Sequence, residues 1–551
     1  MRPKTRPHFI LTATCAALLT GPALAQTPAQ GGTLTVPIIA PTLTDDFNPF
    51  SNAQEDMVRG TMFEPLWVHN VMTREVEFRL AEGFDYADDL TSMTIRLKDG
   101  LTWSDGEVLD AEDVAFSLAL GQTDAALDKS GKWSDGLIAG VAVVDPLTVR
   151  INMSRPDSTL DWYLEPAFIV PQHIWADVED KLTFRNPNPV GSGPITEVVS
   201  AQSNQIEICR NPNYYRAAEG LPFLDCIRFR QYSDNSQIQP ALMAGEIDWG
   251  ANFIADIDRT FVARDPENHR YWYPPNDLIN LYVNTARAPF DNADVRRAMS
   301  MAMDREAIVD LAGYGYPTVA TRATGLGDYF EAWLNDDLDA EFESLLTYDP
   351  DAANALLDQA GYLDSNGDGR RELPDGTPIG FDIHVVNGWT DWIQSAQIIA
   401  ENLADIGITA QVRSVDWSVY DAALKEGTYD ASMSWSLAAV DPIQTYNDYY
   451  HPDRVGQSWH AGHGMASDDL GALIDAYGQT TDEAERRDIL DRLMTFTGEN
   501  LPFIPLFSNP TWYQYNSTRI GGWPTAEDPF VQPVFYSAGR KLIAFERLYQ
   551  K

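Results

Sequence analysis

From about residue 281 to 504 the chain alternates strand and helix patterns, and this alternation constrains the fold more than any other feature. Val295, Ala298, Met299, Ala302 and Met303 recur at the spacing of one helix face, with Asp294 placed before them as a start signal. The spacing then predicts a helix over 351–360 closed by Gly361, a strand over 381–386, and a helix over 391–405 closed by Gly407. A strand over 408–415, a helix over 417–425 stopped by Gly427, and a strand over 429–433 come next. Helices over 468–477 and 482–497 and a strand over 503–507 complete the series. Elements in that order bury their apolar faces as a sheet covered by helices, an α/β lobe.

The first half carries weaker signals. Strands are expected over 32–39, 94–97 and 147–153. A helix is expected over 110–120, with Asp110 as N-cap and Asp113 closing an acidic capping box. Residues 186–194 are rich in Pro and Gly and read as an irregular crossing segment. A chain of 551 residues is long enough for several domains.

Arg2, Lys4 and Arg6, an apolar run over 9–20, and Ala23-Leu24-Ala25 form a secretory signal peptide pattern, with cleavage after Ala25. Beyond it no run approaches the eighteen apolar residues that a membrane-spanning helix requires, so a soluble, exported protein is expected. Removing three of the 39 basic residues leaves 36 against 81 acids, a net charge of −45. So negative a surface repels phosphate backbones and anionic lipid, which excludes nucleic-acid binding as a function class. It also suits surroundings where salt screens self-repulsion.

Export places Cys209 and Cys226 in an oxidising compartment. Each lies in a strand-like run, and an antiparallel pairing of those runs would bring the thiols together. A disulfide is the favoured reading, two buried free thiols the alternative. Three cysteines in the whole chain exclude a disulfide-stapled scaffold.

Trp103-Ser104-Asp105-Gly106-Glu107, followed by Asp110-Ala111-Glu112-Asp113-Val114, resembles the signature of the family 5 extracytoplasmic solute-binding proteins of ABC importers. Further segments resemble the same family in the same order. They are Pro189–Pro194, Arg210–Tyr215, Gly245–Asp248, Asn284-Thr285 through Phe290, Asp294–Ala298, Asp304-Arg305, and Tyr348–Pro350 before Ala360–Tyr362. The resemblance spans about 31–548.

It implies an α/β fold: a two-lobed periplasmic binding protein type II clamp with an additional inserted subdomain. Lobe I would comprise 26–60, 190–280 and 505–551, the inserted subdomain 61–189, and lobe II 281–504. Hinge crossings would fall near Tyr282 and Leu506. The function implied is periplasmic capture of a small oligomeric solute by a monomer, for delivery to the transmembrane subunits of an ABC permease. It implies no catalysis and requires no cofactor. Trp103, Asp105, Asp113, Gly193 and Arg297 are expected to serve structure rather than ligand.

In peptide-binding relatives a W-x-x-D-x-x-D-P stretch supplies an Asp to the ligand's α-ammonium. Here the stretch runs from Trp435 to Asp441-Pro442, and the amine-binding position is Ala438. Losing one partner of a buried ion pair costs roughly 3–5 kcal/mol, which disfavours a free peptide amine unless another carboxylate replaces it. Gly521–Pro524 and Glu527–Pro529 resemble relatives that bind cello- or manno-oligosaccharides. Trp faces with polar neighbours suit sugars. Trp417 and Trp435 are the leading platforms, followed by Trp389, Trp392, Trp459, Trp512 and Tyr513, with Asp441 beside them and Phe47-Asn48 on a cleft-edge loop. Oligosaccharide is slightly favoured and oligopeptide is the alternative.

An exported glycoside hydrolase is a remote alternative. The chain shows no Gly-x-Ser-x-Gly, no His-Glu-x-x-His and no cysteine-nucleophile motif. Asp364, Asn366 and Asp368, with the Arg370 carbonyl and Asp375 at position twelve, match the spacing of a calcium loop. A solvated acidic turn is the favoured alternative to structural calcium. His460 and His463 share a Gly-rich loop, with His451 nearby, read as a surface loop rather than a metal-chelate site.

Overall fold

The computed structural model describes residues 28, 30–40, 42–51, 55–233, 235–437 and 439–551. The signal-peptide pattern over 1–25 and Ala438 lie outside the described residues.

Four of its sheets organise the described chain. One orders Thr33–Ile39, Cys226–Tyr232, Gln205–Arg210 and Ile195–Gln202, and beside it a short sheet joins Trp249–Gly250, Gln514–Asn516 and His269–Tyr271. A separate antiparallel sheet orders Ala81–Tyr86, Ser92–Leu97, Thr148–Met153 and Ile138–Asp145. The largest has six strands in the order Thr318–Val319, Phe503–Pro510, Pro275–Val283, Ala431–Trp435, Gly380–Val386 and Thr409–Val415. Buried side chains gather in matching groups. Val36, Ile208, Phe229 and Phe545 share one core, Ile95, Trp103, Val149 and Ile151 a second, and Leu281, Met433, Ile383 and Ile504 a third.

The helices form where periodicity places them. Thr390–Asp405 buries Trp392, Ser395, Ala396, Ile399 and Leu403, the i, i+3, i+4, i+7 stripe that faces a sheet. Each fully buried Leu or Ile on that face contributes roughly 1.5–3 kcal/mol. The Ala111–Thr123 helix begins with the expected box, in which Asp110 accepts from the Glu112 N–H and Asp113 from the Asp110 N–H. One start differs. Ala293–Met301 is capped by Asn292, which accepts from the Asp294 N–H at 2.8 Å, and Asp294 falls in the first turn.

The family-like motif residues are committed to structure. Trp103 is buried and donates its indole N–H to Asp113, which also accepts from the Gln172 N–H. Asp105 accepts from the Glu107 N–H and faces His173. Arg297 holds Asp294 and the Glu499 carbonyl. A Cβ on Gly193 would lie 2.2 Å from the Thr61 carbonyl oxygen, so only glycine permits that approach. Cys209 and Cys226 stand directly opposite in antiparallel strands and are joined as a disulfide.

The crossings fall at the ends of the strands that hold Tyr282 and Leu506. Both are fully buried inside the large sheet, which runs from Pro275 and ends at Pro510. The two chain segments cross side by side just outside it. There Pro275 pairs with Pro510, the Thr511 N–H donates to the Pro274 carbonyl, and the Trp272 N–H donates to the Tyr513 carbonyl. Among the described residues no helix is long and apolar enough to cross a membrane.

Candidate functional site

The strands Gly380–Val386, Thr409–Val415 and Ala431–Trp435 run parallel to one another. Pro275–Val283 is antiparallel both to Ala431–Trp435 and to Phe503–Pro510. Four carboxyl ends and the amino end of Pro275–Val283 therefore share one edge, the edge from which the crossing segments leave. In open α/β sheets the crevice outside the carboxyl ends of the strands is where ligands bind.

Tryptophans line that edge. Trp389 follows the end of Gly380–Val386, Trp417 follows Thr409–Val415, and Trp435 closes Ala431–Trp435. The rings of Trp417 and Trp435 are parallel to within 1°, with centroids 6.1 Å apart. Trp389 tilts against both at 6.1 and 5.9 Å. Trp459 stands edge-on to them at 5.6 and 5.2 Å and donates its indole N–H to Asp421. Trp392 lies 5.8 Å from Trp435 but is buried in the core. Trp417 is 43% exposed, while Trp389, Trp435 and Trp459 are half-buried against the core.

Glycine chemistry positions two of these rings. Gly427 ends the Trp417–Glu426 helix at φ +63° and lies so close to Gly462 that a Cβ would sit 2.7 Å from its carbonyl oxygen. That contact seats the loop carrying Trp459 against the helix carrying Trp417. It also corrects the surface-loop expectation. His460 and His463 are buried, His460 against Asp448 and His463 beside Tyr282, and burial pushes the His463 imidazole down to about 3.

The other expected site residues fall elsewhere. Trp512 is half-buried against Phe253 and Tyr273, at 5.2 and 4.9 Å. Tyr513 is buried and stacks on Tyr515 at 5.0 Å. Asp441 is consumed as a helix cap, accepting from the Ile443 N–H and the Tyr477 hydroxyl. Instead of lining a cleft edge, Phe47 is buried in the core. Asn48 gives its amide hydrogens to the Lys181 and Leu182 carbonyls and accepts from the Phe50 N–H.

The acidic loop differs from the calcium pattern at its last position. Asp364 accepts from the N–H groups of Gly367, Asp368 and Gly369, and Arg370 donates its own N–H to Asp368. Asp375 instead turns the chain locally, accepting from the Thr377 N–H at 2.9 Å. The carboxylates that could share a cation are Asp364, Asp368 and Glu372, whose oxygens lie within 4.8 Å of one another. Asn366 donates to Glu372.

Sequence reasoning missed two features of this region. Asp277, at the amino end of its strand, receives a hydrogen bond from Asn509 at 3.2 Å, and burial pushes its carboxyl up to about 7. Tyr314 and Tyr316 also reach Phe253, Tyr271 and Tyr273 across the crossing, at 5.6–6.1 Å. The paired aromatics at 271–273 and 314–316 were the available signal. Asp277 had none, since a lone acid among 81 does not stand out.

The family description "Bacterial extracellular solute-binding proteins, family 5 Middle" matches residues 75–457. The glutathione-binding protein GsiB of Salmonella paratyphi A is 26% identical over 467 residues, covering 81% of this chain and 83% of that protein. The oligopeptide-binding protein AppA of Bacillus subtilis is 26% identical over 447 residues, covering 78% of this chain and 77% of its own. A mannohexaose-bound periplasmic oligopeptide-binding protein from Thermotoga maritima superposes with a TM-score of 0.84 at 26% identity, covering 94% of this chain and 98% of that one. The two-lobed clamp expected from the sequence is thus the observed fold class.

Proposed function

Because the chain belongs to the bacterial extracellular solute-binding proteins of family 5, we propose that this extracytoplasmic component of an ABC importer closes two lobes around an oligosaccharide and passes it on unchanged. In this reading the six-stranded sheet forms lobe II, the sheets containing Thr33–Ile39 and Gln514–Asn516 form lobe I, and the sheet over 81–153 is the inserted subdomain. The protein works as a monomer and hands its solute to the permease subunits.

The observation that carries the oligosaccharide reading is the parallel pair Trp417 and Trp435, walled by Trp459 and backed by Trp389, at the carboxyl edge of the sheet. Flat rings of low conformational entropy suit the apolar C–H faces of pyranoses. The mannohexaose bound to the Thermotoga maritima protein supports it. An oligopeptide is the second reading, supported by the names of the Salmonella and Bacillus relatives.

A thermal-shift screen of cello-, manno- and xylo-oligosaccharides beside di- to pentapeptides tests both. An oligosaccharide that raises the melting temperature and is recovered intact supports the proposal. Trp435→Ala should abolish the response. Turnover of any oligomer, or a response confined to peptides, would overturn it.

A further inference from the structure

The chain that follows the sheet over 81–153 leads directly onto the helices around the six-stranded sheet. The short helix Leu160–Leu164 buries Leu160 and Leu164, one turn apart, in the core of the first sheet, while Trp162 between them packs against the core of the second. Just before it, the Ser158 N–H and hydroxyl both donate to the Gly478 carbonyl at 2.8 Å, and the Arg486 guanidinium donates to the Ser158 oxygen at 2.6 Å. Gly478 ends the Asp468–Gly478 helix, where carbonyls lack partners within their own helix. Ser158 thus completes from one body what the helix of the other leaves open. Arg486 is itself held, on the Thr480 carbonyl at 2.9 Å and over the Tyr477 ring at 4.7 Å.

The fit is close. A Cβ on Gly478 would lie 2.9 Å from the Asp157 carboxylate, which the Thr159 N–H and hydroxyl fix at 2.7 and 2.8 Å. Beside it Arg155 faces Asp475 at 3.7 Å. The Tyr477 hydroxyl donates to Asp441, the cap of the helix that follows Ala431–Trp435. The contact therefore stands at the same sheet edge as the tryptophan row, yet none of its groups belongs to that row. Groups that meet only when two bodies come together favour the closed form and leave the open form unchanged.

We propose that Ser158 and Arg486, meeting at Gly478, form a latch between the inserted subdomain and lobe II. They are positioning residues that raise affinity by holding the clamp closed, without touching the solute. This inference rests on the clamp reading above and adds a share of the affinity that is the same for every solute.

Two variants break the latch in different ways. Ser158→Ala removes the hydroxyl that Arg486 and Gly478 share. Gly478→Ala keeps every polar group, sets a methyl against Asp157, and favours its own helix, so lost affinity there does not come from a weaker lobe. Calorimetric titration with two or more solutes that respond in the screen should show each Kd raised by the same factor, roughly tenfold. The melting temperature without solute should stay close to the parent's. Unchanged affinity in both variants, or a factor that differs between solutes, overturns the latch. A second measurement needs no solute. In Arg155→Cys with Asp475→Cys, a short bismaleimide should join the two bodies, since the native pair Cys209 and Cys226 is already bonded. Adding Gly478→Ala should slow that crosslinking. No crosslink, or an equal rate with and without Gly478→Ala, overturns the latch as well. If no solute binds the parent, the clamp reading falls, and the crosslinking rates still decide the contact.

Discussion

Replacing Asp277 by Asn should stabilise the unliganded protein at neutral and alkaline pH. Burial raises this carboxyl from its ordinary 3.8 to about 7, so the folded chain keeps a proton that the unfolded chain releases. The groups facing it are Asn509 on the adjacent strand, Tyr449 on the Pro442–Tyr450 helix and Arg540 near the C-terminus; none neutralises it. Because the folded state binds more protons between the two values, its stability falls as pH rises from about 4 to 7 and then levels off. The full difference corresponds to about 4 kcal/mol, a ceiling because the side chain is only partly buried. The amide has nearly the same shape and no charge, so the variant escapes this cost. Urea titrations of both proteins at pH 4 and pH 8 measure it: no difference at pH 4, and a more stable variant at pH 8. A variant equal to or weaker than the parent at pH 8 would show that the buried carboxyl carries no such cost.

Other groups give predictions of different sign. Burial alone would lower the His69 imidazole, but hydrogen bonds to Asp161 and Glu165, both at 2.9 Å, outweigh it and hold it at about 9. That stabilisation is complete below pH 6.5 and lost as pH rises through 9, about 3 kcal/mol in all, and His69→Gln should flatten the alkaline part of the melting profile. Reducing the Cys209–Cys226 disulfide, which spans 17 residues, should cost about 3 kcal/mol in chemical denaturation, while Cys209→Ser should be indifferent to reductant. Trp417→Ala, which removes a ring packed on Trp389, Tyr420, Trp435 and Trp459, should cost about 1–3 kcal/mol of stability and weaken the best solute roughly tenfold in a fluorescence titration.

The six-stranded sheet and the helices around it were legible because their signals are local. Gly361, Gly407 and Gly427 end helices at positive φ, and the apolar stripe from Trp392 to Leu403 fixes its helix face. The Cys209–Cys226 pairing was legible because two alternating runs flank a short loop. Trp389, Trp417 and Trp435 could be named from the sequence, but their convergence could not. It depends on three parallel strands ending at one edge, a long-range register that no local window encodes. Tyr282 and Leu506 lie in the fully buried stretches of their strands, whereas the less buried residues where the chain leaves the sheet fall at 275–277 and 509, beside Pro275 and Pro510. His460 and His463 read as surface because glycines surround them, whereas those glycines admit the close backbone contact that buries the loop. Asp375 fits a metal-loop spacing, but its side chain closes a turn with Thr377 first.

A crystal structure of the protein with the highest-affinity oligomer from the screen decides whether the tryptophan row is the binding surface. An intact solute enclosed between the lobes, with one ring stacked on the Trp417–Trp435 surface, is expected. A solute bound away from the tryptophan row, or cleaved within it, would rule that out.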